Sequence, residues 1–212
     1  GQGCTFRLNL LSDTIELNGQ SYSDIDRLRI RLAMRDRHIG PLSAIDEVIT
    51  DLAAQSAYHP VRKYLSGLEW DGIPRITELA GCFTVSDPPI QYTDGTQRSL
   101  IEVYLRRFLI GAVGKALDAR QALMLVLAGR QGMGKSNFVQ WLASGIGQWA
   151  YHEGPILVGE RDTDIRQMTT WIWEVGEVDA TTRKADVSAL KDFITRRQVR
   201  VRKPYDRQDI VK

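Results

Sequence analysis

Between Ser23 and Arg37, Ile25, Leu28, Leu32 and Met34 recur at near-helical spacing among many arginines, which predicts an amphipathic helix. Gly40-Pro41 marks a turn. Ser43 is placed as the N-cap of the next helix, with Glu47 near the capping position, and Ile45, Val48, Ile49, Leu52 and Ala53 form its apolar face to about Tyr58. Pro60 opens a short helix carrying Val61, Tyr64, Leu65 and Leu68, and Trp70-Asp71-Gly72 reads as a helix-ending turn with a buried indole. Pro74 fits the first turn of a helix that continues from Ile76 to Ala80. Residues 83–97, with Pro88-Pro89 and Asp94-Gly95, read as a loop and a linker. A long amphipathic helix follows over 99–117, with Ile101, Leu105, Phe108, Leu109, Ala112 and Val113 facing a core.

The period then changes. Residues 122–128, Ala-Leu-Met-Leu-Val-Leu-Ala, are a continuous apolar run, as expected of a strand buried on both faces of a sheet. A glycine-rich segment and a helix from about Lys135 to Ala143 come next. Thr170 to Val175 is a second apolar strand ending in acids, and residues 186–196 read as a helix with Val187, Leu190, Phe193 and Ile194 inward. Val199 and Val201 alternate with Arg200 and Arg202, the pattern of a half-exposed strand. The fold class expected is α/β: a helical N-terminal domain with its linker over 1–97, then a truncated P-loop NTPase domain over 98–212 with a mostly parallel sheet.

Gly129-Arg130-Gln131-Gly132-Met133-Gly134-Lys135-Ser136 fits the phosphate-loop pattern G-x-x-x-x-G-K-S/T at each defined position. Its glycines permit backbone conformations closed to other residues, so successive N–H groups can converge on an anion at the start of a helix. Lys135 would reach the β- and γ-phosphates, the Ser136 hydroxyl would ligate Mg²⁺, and Asn137 completes the expected nucleotide-contacting set. ATP and Mg²⁺ are therefore the expected ligands. Such a site also needs an acid at the end of a neighbouring strand. Glu174, Glu177 and Asp179 follow the apolar strand at 170–175. Glu177 is the favoured catalytic and metal-linked acid, with Glu174 beside it or in its place, and Gly176 bends the chain between them. Asp162 and Asp164 read as solvated loop acids.

Charge is uneven. Residues 183–212 hold ten Lys/Arg and four Asp/Glu, a local +6 in a chain whose net charge is +2. Arg196, Arg197, Arg200, Arg202 and Lys203, with Tyr205 nearby, suit a sugar-phosphate backbone without sequence reading. A solvated basic face would show the same alternation. No run reaches membrane-spanning length, no partner in a membrane is expected, and Cys4 and Cys82 read as free, buried or half-buried thiols of a cytoplasmic protein. His59 and the pair Trp171 and Trp173 are assigned to packing, and Arg106 and Arg107 to solvent.

Several blocks of the chain resemble the virulence-associated protein E family. They are the segment from Tyr58 to Arg75, Phe108-Leu-Ile-Gly-Ala-Val113, Gly132 to Ser136, Trp173 to Asp179, Lys184 to Phe193, and Arg202 to Tyr205. The resemblance implies an ATPase of a phage, plasmid or genomic-island replication protein, similar to superfamily 3 helicases that work as rings, usually hexamers. It places a hairpin that touches single-stranded DNA at residues 195–207, though Gln198 stands where the family often has an acid. It also implies a further strand and a subunit-bridging arginine after Lys212, so that this chain would bind nucleotide yet hydrolyse it slowly. Three functions are open: a DNA helicase motor, a nucleotide-dependent switch or assembly protein, and a phosphotransferase acting on a small acceptor.

Overall fold

The computed structural model describes residues 3–118, 123–147, 150–176, 184–196, 199–201 and 210–211. It is mixed α/β, with eight α-helices and several small sheets among those residues. The chain divides into two compact units, Gly1–Lys63 and Tyr64–Lys212.

The first unit is not helical throughout. It opens with an antiparallel sheet of β1 (Phe6–Asn9), β2 (Thr14–Leu17) and β3 (Gln20–Ser21), in that order. Asn18 and Gly19, at φ 52° and 84°, make the two-residue turn joining β2 to β3, and Asn-Gly is the dipeptide that such a tight hairpin favours. Asn9 ends β1 at 2% exposure. Its side chain accepts from the N–H groups of Leu11 (3.0 Å) and Ser12 (3.2 Å) and donates to Glu16 Oε1 (2.9 Å). The Tyr58 hydroxyl donates to the other Glu16 oxygen at 2.7 Å, and the Arg7 guanidinium lies 4.0 Å above the Tyr58 ring.

Two helices complete this unit. Ser23 caps α1 (Asp24–Asp36) through a reciprocal capping box with Asp26. No residue of α1 is buried; Ile25 and Leu28 are exposed, against the expectation of an inward stripe. The helix is held instead by Arg27 and Arg31, which both pair with Asp46. The Arg27 hydrogen bonds keep that carboxyl below the usual carboxylate range. A 3₁₀ turn at Leu42–Ala44 shifts the start of α2 (Ile45–Gln55) past Ser43, so Ala44 is the N-cap and no side chain caps it. Ile45, Ile49 and Ala53 of α2 are buried, and this helix packs on β1. α3 (Pro60–Ser66) then carries the chain past the unit boundary, with the N–H of Arg62 donating to His59 Nδ1 at 3.4 Å.

In the second unit, α4 (Arg75–Ala80) packs against α5 (Leu100–Asp118). Between them β4 (Ile90–Gln91) and β5 (Gln97–Arg98) form an antiparallel hairpin inside the segment expected to be loop. Glu102 is buried at 6% exposure beneath α4. It accepts from Arg106 Nε and the Thr77 hydroxyl, both at 3.0 Å, and Arg98 lies 3.8 Å away. Arg106 is thus committed to a buried carboxylate rather than to solvent. Trp70 is 80% exposed, which overturns the buried indole. The turn is satisfied locally: the indole N–H donates to Ile73 O at 3.3 Å, and Asp71 takes both terminal nitrogens of Arg75. That pairing holds the Asp71 carboxyl down at about 2. Cys4 and Cys82 are free, and both are exposed.

The remaining elements are α6 (Lys135–Ser144), β6 (Tyr151–Glu153), α7 (Arg161–Thr169), β7 (Ile172–Glu174), α8 (Lys184–Thr195), β8 (Arg200–Val201) and β9 (Ile210–Val211). Of the strands named here, only β6 and β7 pair in parallel. The mostly parallel sheet is therefore not formed there. Residues 123–128 take no strand pairing, and Leu123, Met124 and Val126 are exposed. An apolar run becomes a buried strand only when ladders flank it, and β6 and β7 pair with each other instead. No helix among the described residues is long and apolar enough to cross a membrane.

Asn9→Ala removes the acceptor of two N–H groups in the β1–β2 turn and should lower unfolding free energy by roughly 2 kcal/mol, read by denaturant titration. A second expectation concerns alkaline pH. Burial first, then the bond to Glu16, pushes the Tyr58 phenol up to about 12. A phenol whose pKa rises on folding favours the fold while it is neutral, so its contribution is intact below pH about 10 and lost as pH rises through about 12. Tyr58→Phe should remove this part of the alkaline destabilisation; an identical alkaline unfolding midpoint would count against it.

Candidate functional site

The glycine-rich segment is a turn whose shape depends on left-handed backbone. Gly132 and Gly134 have φ of 80° and 78°, where a Cβ is strained. Nothing lies within 4 Å of a Cβ built at either position, so the constraint is conformational and the space above the loop is open. Gly134 is the N-cap of α6 and offers no capping side chain. The first N–H groups of α6 therefore keep their affinity for an anion. Arg130, Gln131, Met133, Ser136 and Asn137 are exposed.

Lys135 folds back over this turn. Its ammonium donates to Gly129 O at 2.9 Å and Arg130 O at 2.8 Å. Both partners are neutral carbonyls, so the charge has no neutralising carboxylate in these bonds. Cation and helix N-terminus thus present positive potential on one loop.

Opposite polarity lies at the end of the parallel pair. The register sets Tyr151 beside Ile172, His152 beside Trp173 and Glu153 beside Glu174. Side chains alternate along a strand, so Tyr151, Glu153, Ile172 and Glu174 share one face while His152 and Trp173 share the other. The Tyr151 hydroxyl donates to Glu174 Oε2 at 2.6 Å and lies 3.4 Å from Glu153 Oε2. Burial, followed by the bond to Glu174, pushes the Tyr151 phenol well above its ordinary value, with a bond from Gln140 acting the other way. Gln140 belongs to α6, which packs on β7. Ser136 and Gln140 are four residues apart, hence on one face of that helix. The helix that begins with Lys135 and Ser136 thus lies against the strand that ends at Glu174.

The other face of the pair is closed by rings. His152 meets Trp173 edge-on at 5.2 Å, and Trp173 meets Phe193 of α8 at 6.1 Å. The Trp173 indole donates to Gly154 O at 2.8 Å and the Trp171 indole to Ala112 O of α5 at 3.0 Å, consistent with packing roles for both. Arg166 approaches His152 Nε2 at 2.7 Å, and burial first, then this guanidinium, lowers the His152 pKa.

Of the acids expected at the site, Glu174 is placed at the end of β7, and Glu177 lies outside the described residues. Glu153 and Tyr151 were missed by the sequence reading, because β6 is three residues long and too short to display an alternating pattern. Asp164 is not a loop acid. It lies in the first turn of α7 and pairs with Arg196 at 2.9 Å, while the Arg196 guanidinium also sits 5.7 Å from the Phe193 ring. Arg200 is exposed on β8 between buried Val199 and Val201, which pack with Met168. β8 pairs antiparallel with β9. Arg197, Arg202 and Lys203 lie outside the described residues.

A family model described as the virulence-associated protein E-like domain matches residues 65–212, and the chain belongs to that family. No curated protein matches the chain.

Gly134→Ala should test the loop directly. Forcing a side chain into the left-handed conformation costs roughly 1–2 kcal/mol, and no contact blocks the methyl, so a folded protein with a lowered thermal midpoint is expected. Gly134→Asn, which tolerates that conformation better, should recover part of the loss. Equal midpoints for all three proteins would show that the turn is not under this constraint.

Proposed function

We propose that this member of the virulence-associated protein E-like family binds ATP with Mg²⁺ at residues 129–137, hydrolyses it, and serves as the DNA helicase motor of a phage or other mobile-element replication protein. The observation that carries the reading is the Lys135 ammonium folded over a left-handed glycine turn at the start of α6, a helix that packs on β7, the strand ending at Glu174.

On this reading Lys135 exchanges its two carbonyl partners for phosphate oxygens, and the uncapped N–H groups of α6 donate to the same anion. The exposed Ser136 hydroxyl and the carboxylates of Glu174 and Glu177 are hard oxygen donors of the kind that Mg²⁺ takes. When bound, the ion supplies neutralisation of charge on the phosphate oxygens. Glu177, or Glu174 in its place, orients the attacking water and accepts its proton. The bond from water oxygen to the γ-phosphorus forms as the bond from that phosphorus to the bridging oxygen breaks, releasing ADP and phosphate.

Arg200, Arg197, Arg202 and Lys203 supply the contact with single-stranded DNA. The exposure of Arg200 on a strand of an antiparallel pair supports this assignment. Arg196, already paired with Asp164, is left out of that set. The motor works as a homo-oligomeric ring, as the resemblance to superfamily 3 helicases implies.

Lys135→Ala should weaken binding of a fluorescent ATP analogue by at least roughly tenfold. Glu177→Gln should keep that binding and lose hydrolysis by roughly a hundredfold or more. Phosphate release by the unaltered chain should rise with single-stranded DNA, and Arg200→Glu should blunt the rise, most visibly at low salt. Nucleotide binding with turnover indifferent to DNA would support the switch reading instead.

A further inference from the structure

We infer that Tyr151 is a positioning residue for the carboxylate of Glu174, the acid that stands beside Glu177 as a donor to Mg²⁺. The inference rests on the nucleotide-site reading above and deepens it.

Glu153 and Glu174 are direct neighbours in a parallel register. Like charges set side by side on one sheet face repel each other, and a carboxylate with free rotation would turn away. A donor is needed to hold Glu174 in place, and the Tyr151 hydroxyl is that donor, at 2.6 Å from Oε2. Its longer approach to Glu153, 3.4 Å, makes Glu174 the preferred acceptor. Tyr151 is thereby tied to a carboxylate at the end of a strand that packs against α6.

Tyr151→Phe retains the ring and deletes only the hydroxyl. The test is a titration of Mg²⁺ against binding of a fluorescent ATP analogue, beside the same binding without metal. The half-saturating Mg²⁺ concentration should rise roughly tenfold, the size expected when a group that orients a metal-linked ligand is lost, while metal-free affinity stays within twofold. In a Glu174→Gln background, Tyr151→Phe should raise the metal requirement no further, because the carboxylate it positions is gone. A merely structural tyrosine would change thermal midpoint and leave the metal requirement alone. An unchanged metal requirement in Tyr151→Phe, or an equal rise in the Glu174→Gln background, with nucleotide still bound, overturns this inference and leaves the nucleotide site standing. An unaltered chain that binds no nucleotide overturns both.

Discussion

The parallel pairing of Tyr151–Glu153 with Ile172–Glu174 is the constraint on which the site depends. Register in a sheet sorts side chains by parity, so one pairing decides two surfaces at once. On one side it aligns the carboxylates of Glu153 and Glu174 with the Tyr151 hydroxyl. On the other it stacks His152, Trp173 and Phe193 into a ring cluster. A slip of one residue would put Glu174 among aromatic rings and Trp173 beside the phosphate-loop helix.

The second dependence is the balance of charge against backbone. The turn at 129–134 concentrates uncapped N–H groups and one ammonium, with loop carbonyls as the ammonium's partners. The strand ends concentrate carboxylates. The packing of α6 on β7 brings these opposite fields onto adjoining elements. Elsewhere the protein meets the same problem differently. Buried Glu102 is neutralised by two arginines, and buried Asn9 is satisfied by backbone and a carboxylate. Polar groups removed from water need every partner, and in each case at least one partner comes from a neighbouring element.

Local patterns were legible where a single residue type has one physical use. The apolar spacing that begins after Ser23 marked α1, and the glycine-rich turn before Lys135 marked the start of α6. Asn18-Gly19 was an equally plain hairpin signal that the sequence reading left unused. Patterns that depend on a partner were misread. The apolar stripe of α1 stays exposed because Arg27 and Arg31 secure the helix through Asp46. The run at 122–128 has the composition of a buried strand, yet its described part is unpaired because no neighbour flanks it. Trp70 looked like a core residue, but a turn closed by Asp71 and Arg75 needs no burial.

The sequence by itself determined the glycine-rich turn, the lysine and serine after it, the helix that follows, and the family to which the chain belongs. Those features lie within a few consecutive residues, where backbone sterics and hydrogen bonding act without help from the rest of the chain. Tertiary structure alone decided which acids share a face and which arginines are free. Glu153 became a neighbour of Glu174 only through strand pairing, and Tyr151 became its donor by the same step. Arg196 and Arg106 lost their freedom to Asp164 and Glu102, one partner 32 positions away and the other on the buried face of its own helix. Charge along a sequence can be counted, but its availability depends on the partner that folding sets beside it.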